Sequence, residues 1–386
     1  MSAAAEEAAR TRPGDDGPGL RQGSLGLIET IGQSVANIAP TGTPAIAIGV
    51  LVGIAGIGTW MAYLIATVGM IFVAVNIGAL ARRHPLAGSY FVYIGRTLGP
   101  LAGMIAGWSI VAAYLAAGIA CVFGGEVALA NVMRAVGLGT FTPPAWLFVL
   151  VFMALVWALA YRDIRLSSRV GVAIEGLSLS IIVLITAIVV ARHGTAIDPI
   201  QLDLAHLGWG GVMSGLTLAV FAFVGFESAA TLAQETRDPT RAVPRAIMLS
   251  AVVAGVFFVA IAYAMVLGVA DETKILAESS SPFAEITGRA GLPWASAVVY
   301  FAALITVFAS ALACINAASR LTFSMGRFEF IHRSMGAVHH RHQTPHVAIS
   351  AAVLLIALVC LAMSGVEPLD GFGLSATFST FGFLVI

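Results

Sequence analysis

Charge is what this sequence has least of. Only 10% of its 386 residues are Asp, Glu, Lys or Arg, against about 25% in an ordinary soluble domain. That deficit excludes a solvated globular chain, because hydrophobic residues make up 59% and mean hydropathy is +0.94. Lysine is nearly absent: of the 20 basic residues only Lys274 is not arginine, which reads as genome composition. Cysteine is scarce as well. Cys121, Cys314 and Cys360 have neither the number nor the spacing of a disulfide framework or a zinc set, and read as packing residues. No Gly-x-x-x-x-Gly-Lys-Ser/Thr loop is present, which excludes ATP coupling through that motif, and no His-Glu-x-x-His pair supports a zinc hydrolase. No short apolar segment with a small-residue cleavage site precedes the first long apolar run, so a cleavable signal peptide is not expected.

Long apolar runs are what is there. Stretches of about 20 residues, each enough to cross a bilayer core, recur along the chain. Ten spans are read at about 27–52, 55–80, 98–131, 146–161, 170–191, 211–232, 245–270, 292–325, 347–363 and 370–386. The fold class is an all-α polytopic membrane protein. Residues 1–22 are polar and rich in Gly, Pro and charge, and are expected to form a disordered tail; the membrane domain is 23–386. The final run, TFSTFGFLVI, reaches Ile386 with no helix-end signal, so the fold is expected to be C-terminally incomplete.

Arginine orients the spans. Sixteen of the 20 basic residues fall before span 1 or in alternate loops: Arg82, Arg83 and Arg96 after span 2, Arg162, Arg165 and Arg169 after span 4, Arg237, Arg241 and Arg245 after span 6, and Arg320, Arg327, Arg333 and Arg341 at or beyond the end of span 8. The other side has Arg134, Arg192, Lys274 and Arg289, with most of the loop acids. The positive-inside rule places the first side, and the N-terminus, in the cytoplasm of a cell-membrane protein.

Two spans are interrupted. Span 1 contains Ala-Pro-Thr-Gly-Thr-Pro, with Pro40, Gly42 and Pro44. Span 6 runs into Val-Gly-Phe-Glu-Ser at 224–228 and ends in a proline-punctuated, arginine-rich segment. Irregular backbone at membrane depth is tolerated only inside protein or along a wet cavity, and an acid there marks a functional site. Spans 1–5 and 6–10 make two sets of five, repeat one at about 27–191 and repeat two at about 211–386. An odd number per set inverts the second, and each break falls in the first span of its set. Matched breaks of this kind point to a midplane substrate site. Broken helices offer unpaired N–H and C=O groups, which suit a zwitterion such as an α-amino acid.

The segment FAFVGFESAATLAQETRDPTRAVPRAI (221–247) resembles the signature of the amino acid–polyamine–organocation superfamily of permeases, in Phe223, Gly225, Glu227, Ser228, Glu235, Thr236, Pro239, Pro244, Arg245 and Ala246. The stretches ARRHPLAGSYFVYIGRTLGP (81–100) and NAASRLTFSMGR (316–327) resemble its other two motifs, in family order. The resemblance implies the five-plus-five inverted-repeat transporter fold with broken helices 1 and 6, and secondary active transport of amino acids by alternating access.

The site residues come from the breaks and the resemblance together. For substrate they are Asn37, Ile38, Ala39, Thr41 and Gly42 in span 1, Phe221, Val224 and Gly225 in span 6, and Cys314 in span 8. For gating or coupling they are Glu227, Ser228, Glu175, Ser178 and Ser310. Phe221 resembles the family's aromatic gate. Ser178 stands where some relatives carry a lysine that replaces sodium, so coupling through that lysine is not expected. The cluster HHRHQTPH (339–346) lacks acid and cysteine partners and reads as a solvated or pH-sensitive loop, with no metal expected. No cofactor is expected beyond a coupling ion, H+ or Na+, and no nucleic acid; the partners are an amino acid or related amine and the bilayer. Alternatives are an amino acid sensor or regulatory subunit that has lost transport, and a permease for polyamines or other organic amines. A membrane enzyme is disfavoured, because no paired aspartates lie within spans.

Overall fold

The computed structural model describes residues 20–83, 89–139, 143–162, 164–270 and 272–386. Most of the expected disordered tail, part of the 81–100 motif and the side chain of Arg165 lie outside the described residues.

Helices carry the fold: α1 (Leu27–Ile38), α2 (Gly42–Ala55), α3 (Thr59–Arg83), α4 (Ser89–Leu98), α5 (Pro100–Ala135), α6 (Ala145–Arg162), α7 (Ile164–His193), α8 (Pro199–Leu202), α9 (Trp209–Phe221), α10 (Pro239–Gly268), α11 (Thr273–Glu278), α12 (Pro282–Arg289), α13 (Ala295–Arg327), α14 (His346–Ala362) and α15 (Pro368–Leu384). In hydrocarbon every backbone N–H needs a partner within the protein, and helices supply it within the segment. Six helical stretches have the length and composition to cross a membrane: 27–83, 100–135, 145–162, 168–193, 239–268 and 295–327. These hold expected spans 1–5, 7 and 8. Spans 6 and 9 appear as the shorter apolar helices α9 and α14, and span 10 as the 17-residue α15. The outward face is apolar: Phe72, Leu184, Val256, Leu354 and Phe378 are each at least 60% exposed. Such a surface suits lipid, and in water it would be a large association patch.

The helices α5 and α13 form the centre. They pack on each other most extensively; α15 covers α5, α7 and α1 cover α13, and α10 pairs with α3. Small residues let the backbones approach. Added methyls at Gly103 and Gly255 would lie 2.6 Å from the Gly95 backbone and 2.2 Å from Thr67.

At the arginine-rich end the structure departs from the sequence reading. The segment 235–245, expected to be a loop, is mostly the start of α10. Pro239 sits in its first turn, where a missing N–H costs nothing, and Pro244 lies inside the helix. Glu235 is fully buried and pairs with Arg320 of α13, also fully buried. The Arg320 Nε and Nη2 groups donate to the two carboxylate oxygens, the second at 3.0 Å, and Nη1 donates to the Asn316 carbonyl at 3.1 Å. Arg320 is therefore a structural cation and not a surface orientation signal. Beside it, Leu25 and Thr236 form an isolated β-bridge: Leu25 N–H donates to the Glu235 carbonyl at 2.9 Å and Arg237 N–H to the Leu25 carbonyl at 2.8 Å.

The histidine cluster packs on the end of α6. His339, His342 and His346 ring Tyr161 at centroid distances of 5.4, 5.9 and 6.1 Å. Among the described residues no group of three His, Cys, Asp or Glu is placed to hold a metal. The His339 Nδ1 accepts from the backbone N–H groups of Arg341 and His342, both at 3.2 Å. Burial, then the neighbouring His342, His346, His340 and Arg341, push its pKa below the ordinary value.

Removing one member of the buried pair, by Glu235→Ala or Arg320→Ala, is expected to cost about 3–5 kcal/mol, read as a loss of thermal stability in detergent. Replacing both by Glu235→Leu with Arg320→Met is expected to recover most of it. For His339 the neutral form is the favoured one in the fold. Its contribution is present above the unfolded pKa of about 6.5 and is lost as pH falls through the lowered folded value. Melting curves from neutral to mildly acidic pH are expected to fall more steeply for the native chain than for His339→Asn; identical slopes would remove His339 from the acid response.

Candidate functional site

The first break is shorter than its prolines suggest. The helix α1 closes at Ala39, whose φ of 49° is left-handed and whose N–H returns to the carbonyls of Val35 and Ala36. Pro40 and Thr41 come next, and α2 is already helical at Gly42. Gly42 and Pro44 therefore belong to the first turn of α2 and not to the interruption. Pro44 is accommodated there because first-turn N–H groups have no helical partner.

The second break differs in kind. The helix α9 ends at Phe221, and residues 222–227 run as turns, with Gly225 at φ 97°. The chain then forms a 3-10 turn over Ser228–Leu232 in place of a second α-helical half. Its bonds span three residues, as from Ser228 N–H to the Gly225 carbonyl and Ala230 N–H to that of Glu227, both 2.9 Å. The paired half-helix dipoles expected from the sequence are thus present on the span 1 side only.

The two breaks meet at Asn37. Gly225 presses its backbone onto the Asn37 side chain, where an added methyl would stand 2.5 Å from Asn37 Cγ. The Asn37 carbonyl accepts from Ser310 Oγ at 2.9 Å, and its side-chain Oδ1 from Cys314 Sγ at 2.9 Å. Its Nδ2 is buried with no partner. One turn away along α13, Thr306 accepts from Thr41 at 2.6 Å. Thr306, Ser310 and Cys314, at i, i+4 and i+8, share one face of α13 and hold the span 1 break.

A cavity of about 30 Å³ lies between the breaks. Seven of the residues expected from sequence line it: Asn37, Ile38, Ala39, Gly42, Phe221, Val224 and Ser310. Thr43, Ile46, Ala117, Ala120, Cys121, Val307 and Phe372 complete the wall. Phe221 meets Phe372 edge-on at 6.0 Å. Thr41, Gly225 and Cys314 stand behind the lining and position it. The gating set is dispersed. Glu227 accepts a hydrogen bond from Tyr114 of α5. Ser228 Oγ donates to the Gln33 carbonyl at 3.4 Å, and Ser178 Oγ to the Ala302 carbonyl at 3.4 Å. Glu175 is buried away from the cavity wall.

This volume holds one water and no amino acid. The ion pair and β-bridge lie at the arginine-rich side. On the opposite side α11 and α12 pack on α2, with Gly49 against the Leu276 carbonyl. There Asn131 Nδ2 donates to the Ser280 carbonyl at 3.1 Å, and Arg134 Nη1 to Ser280 Oγ at 2.7 Å. Reading the sequence missed Tyr114, Thr306, Cys121 and Phe372. Only Thr306 left a signal, its four-residue spacing from Ser310.

The amino acid permease family model matches residues 30–386. The chain belongs to the amino acid permease family. It is 31% identical to an uncharacterized transporter of Mycobacterium tuberculosis over 94% of this chain and 77% of that one. It is 28% identical to the low-affinity putrescine importer PlaP of Escherichia coli, over 77% and 66% of the two chains. With the branched-chain amino acid permease BcaP of Bacillus subtilis it shares 25% identity over 84% and 70%. Among solved structures, a nucleobase-cation-symport-1 family transporter in a closed conformation superposes with a TM-score of 0.60 at 16% identity, covering 95% of this chain and 78% of that one. A sodium-coupled sialic acid symporter gives 0.58 at 11%, covering 92% and 78%. The permease thus has the five-plus-five inverted-repeat transporter fold of a multi-pass membrane protein.

Gly225→Ala tests the meeting point. The left-handed φ and the clash with Asn37 set a cost of about 1–3 kcal/mol, so substrate affinity is expected to fall about 5- to 150-fold. Gly373→Ala, where a methyl meets nothing within 4 Å, is the matched control. Equal affinities for the two variants in a binding titration would separate Gly225 from the site.

Proposed function

We propose that this permease moves neutral amino acids by alternating access, taking the substrate head group at the two breaks. The observation that carries this is the Asn37 amide: its Nδ2 is buried and unpaired at the cavity between them. An orphaned buried donor costs about 1–3 kcal/mol, and a substrate carboxylate would satisfy it. Rocking of the broken spans against the rest opens the closed cavity to one side at a time. The arginine-rich face, with the N-terminus, is cytoplasmic in this reading.

The lining favours a neutral side chain. Ile38, Ile46, Phe221, Val224, Val307 and Phe372 are apolar, and no carboxylate is among the wall residues. A diamine carries a second cation that would need one. PlaP, a putrescine importer by name, keeps the amine reading as the second.

Flux decides. In proteoliposomes, tritiated alanine and leucine are expected to exchange against the same unlabelled amino acid inside, and tritiated putrescine is not. Binding of alanine or leucine without flux would identify a sensor and sink the transport reading. Exchange of putrescine alone would overturn the substrate class.

A further inference from the structure

Two of the three cysteines meet beside the cavity, and the site as described gives their meeting no task. Cys121 of α5 and Cys314 of α13 are free thiols, both buried. On α5, Gly118 and Cys121 share one face at i and i+3; on α13, Ser310 and Cys314 share one at i and i+4. Gly118 leaves room for the approach: a methyl there would lie 4.0 Å from Cys314 Cβ. Cys121 Sγ donates to Ser310 Oγ at 3.3 Å, and Cys314 Sγ to Asn37 Oδ1 at 2.9 Å. Ser310 Oγ donates in turn to the Asn37 carbonyl at 2.9 Å. Both thiols therefore end on Asn37, one directly and one through Ser310, and they lie within hydrogen-bonding reach of each other. The third cysteine, Cys360 of α14, packs among apolar side chains.

The Cys314 thiol fixes the Asn37 amide. An amide turned through half a rotation exchanges its donor and its acceptor. Among the described residues, the hydrogen bond to this side chain is the one that Oδ1 accepts from Cys314, and Nδ2 is left for the cavity. A disulfide carries no S–H group. Its formation would remove that bond and free the amide to present its oxygen, an acceptor, to a substrate carboxylate. Cys121 is itself part of the cavity wall, where one water fits. A small peroxide is the oxidant nearest to water in size.

We propose that Cys121 and Cys314 are an oxidisable dithiol at the substrate cavity, which a peroxide converts to a disulfide that weakens substrate binding and that thiol reductants reopen. The Cys121 sulfur attacks one peroxide oxygen and the O–O bond breaks. The thiol proton leaves with the departing hydroxide as water, and a sulfenic acid remains. The Cys314 sulfur then attacks the Cys121 sulfur, the S–O bond breaks, and the second hydroxide leaves as water with the Cys314 proton. The two thiols are oxidised by two electrons and one peroxide is reduced to two waters. The effect on substrate rests on the Asn37 reading above; the disulfide does not.

The full chain in detergent is treated with hydrogen peroxide and denatured, and its remaining thiols are counted by maleimide labelling. One free thiol, that of Cys360, is expected, with a cross-linked Cys121–Cys314 peptide pair by mass spectrometry. Three free thiols, a link that includes Cys360, or sulfinic acids in place of a link overturns the proposal. Titrations of the same samples with alanine and leucine are expected to show affinity lower by about 5- to 150-fold after oxidation, restored by dithiothreitol. Unchanged affinity in cross-linked protein also overturns it. Cys121→Ser and Cys314→Ser, each compared with its own untreated sample, are expected to lose the peroxide response, and either one suffices if the other fails to fold. A response that persists in them overturns the assignment to this pair. Absence of binding by the untreated native chain would instead bring down the substrate reading, and the thiol count still judges the disulfide.

Discussion

Unpaired backbone at membrane depth is the constraint on which this structure depends. A helix satisfies its own N–H and C=O groups, and a break abandons several at once where no water can replace them. The permease answers with side chains from elsewhere. Ser310 takes the Asn37 carbonyl, Thr43 Oγ1 donates to that of Ile38 at 3.3 Å, and Ser34 Oγ accepts from Ala229 N–H at 3.0 Å. Gln33 then ties α1 to α13 through the Ala313 carbonyl at 2.9 Å. The broken spans therefore hold together through each other and through one face of α13. The cavity forms where that mutual satisfaction is incomplete.

Closure on both sides uses different materials. The arginine-rich side has a buried, bidentate ion pair and a backbone bridge. The opposite side has two short helices resting on α2, and hydrogen bonds from Asn131 and Arg134 to a serine turn. Glu235 and Arg320 are fully buried, whereas Arg134 is exposed. The two ends thus differ in kind: one is a desolvated charge contact, the other is wet and rests on hydrogen bonds to neutral groups.

Much of this is legible in the sequence because its cause is local. Pro40 cannot donate and Gly225 can adopt a left-handed φ, so residue type alone places both breaks. Class and span order come from apolar runs and arginine alternation. The misreadings arise where tertiary context decides. Pro44 looks disruptive but falls in a first turn, where its defect is harmless. The Ser228–Leu232 segment looks like half a helix, yet it tightens to a 3-10 turn to reach Gln33 and Ser34. Glu235 and Arg320 look like loop charges because nothing local says that two residues 85 positions apart bury each other. Tyr114 is one aromatic residue in an apolar helix until Glu227 is brought to it.

The β-bridge at Leu25 sets an energy scale. It consists of two backbone hydrogen bonds, each worth about 0.5–1.5 kcal/mol net. Moving one elementary charge through about 100 mV is worth about 2.3 kcal/mol. A latch of that size lies within reach of the work a charged membrane does in a single step. The arginine-rich side therefore carries two unlike contacts, a backbone clasp of two hydrogen bonds and a charge pair held in dry protein.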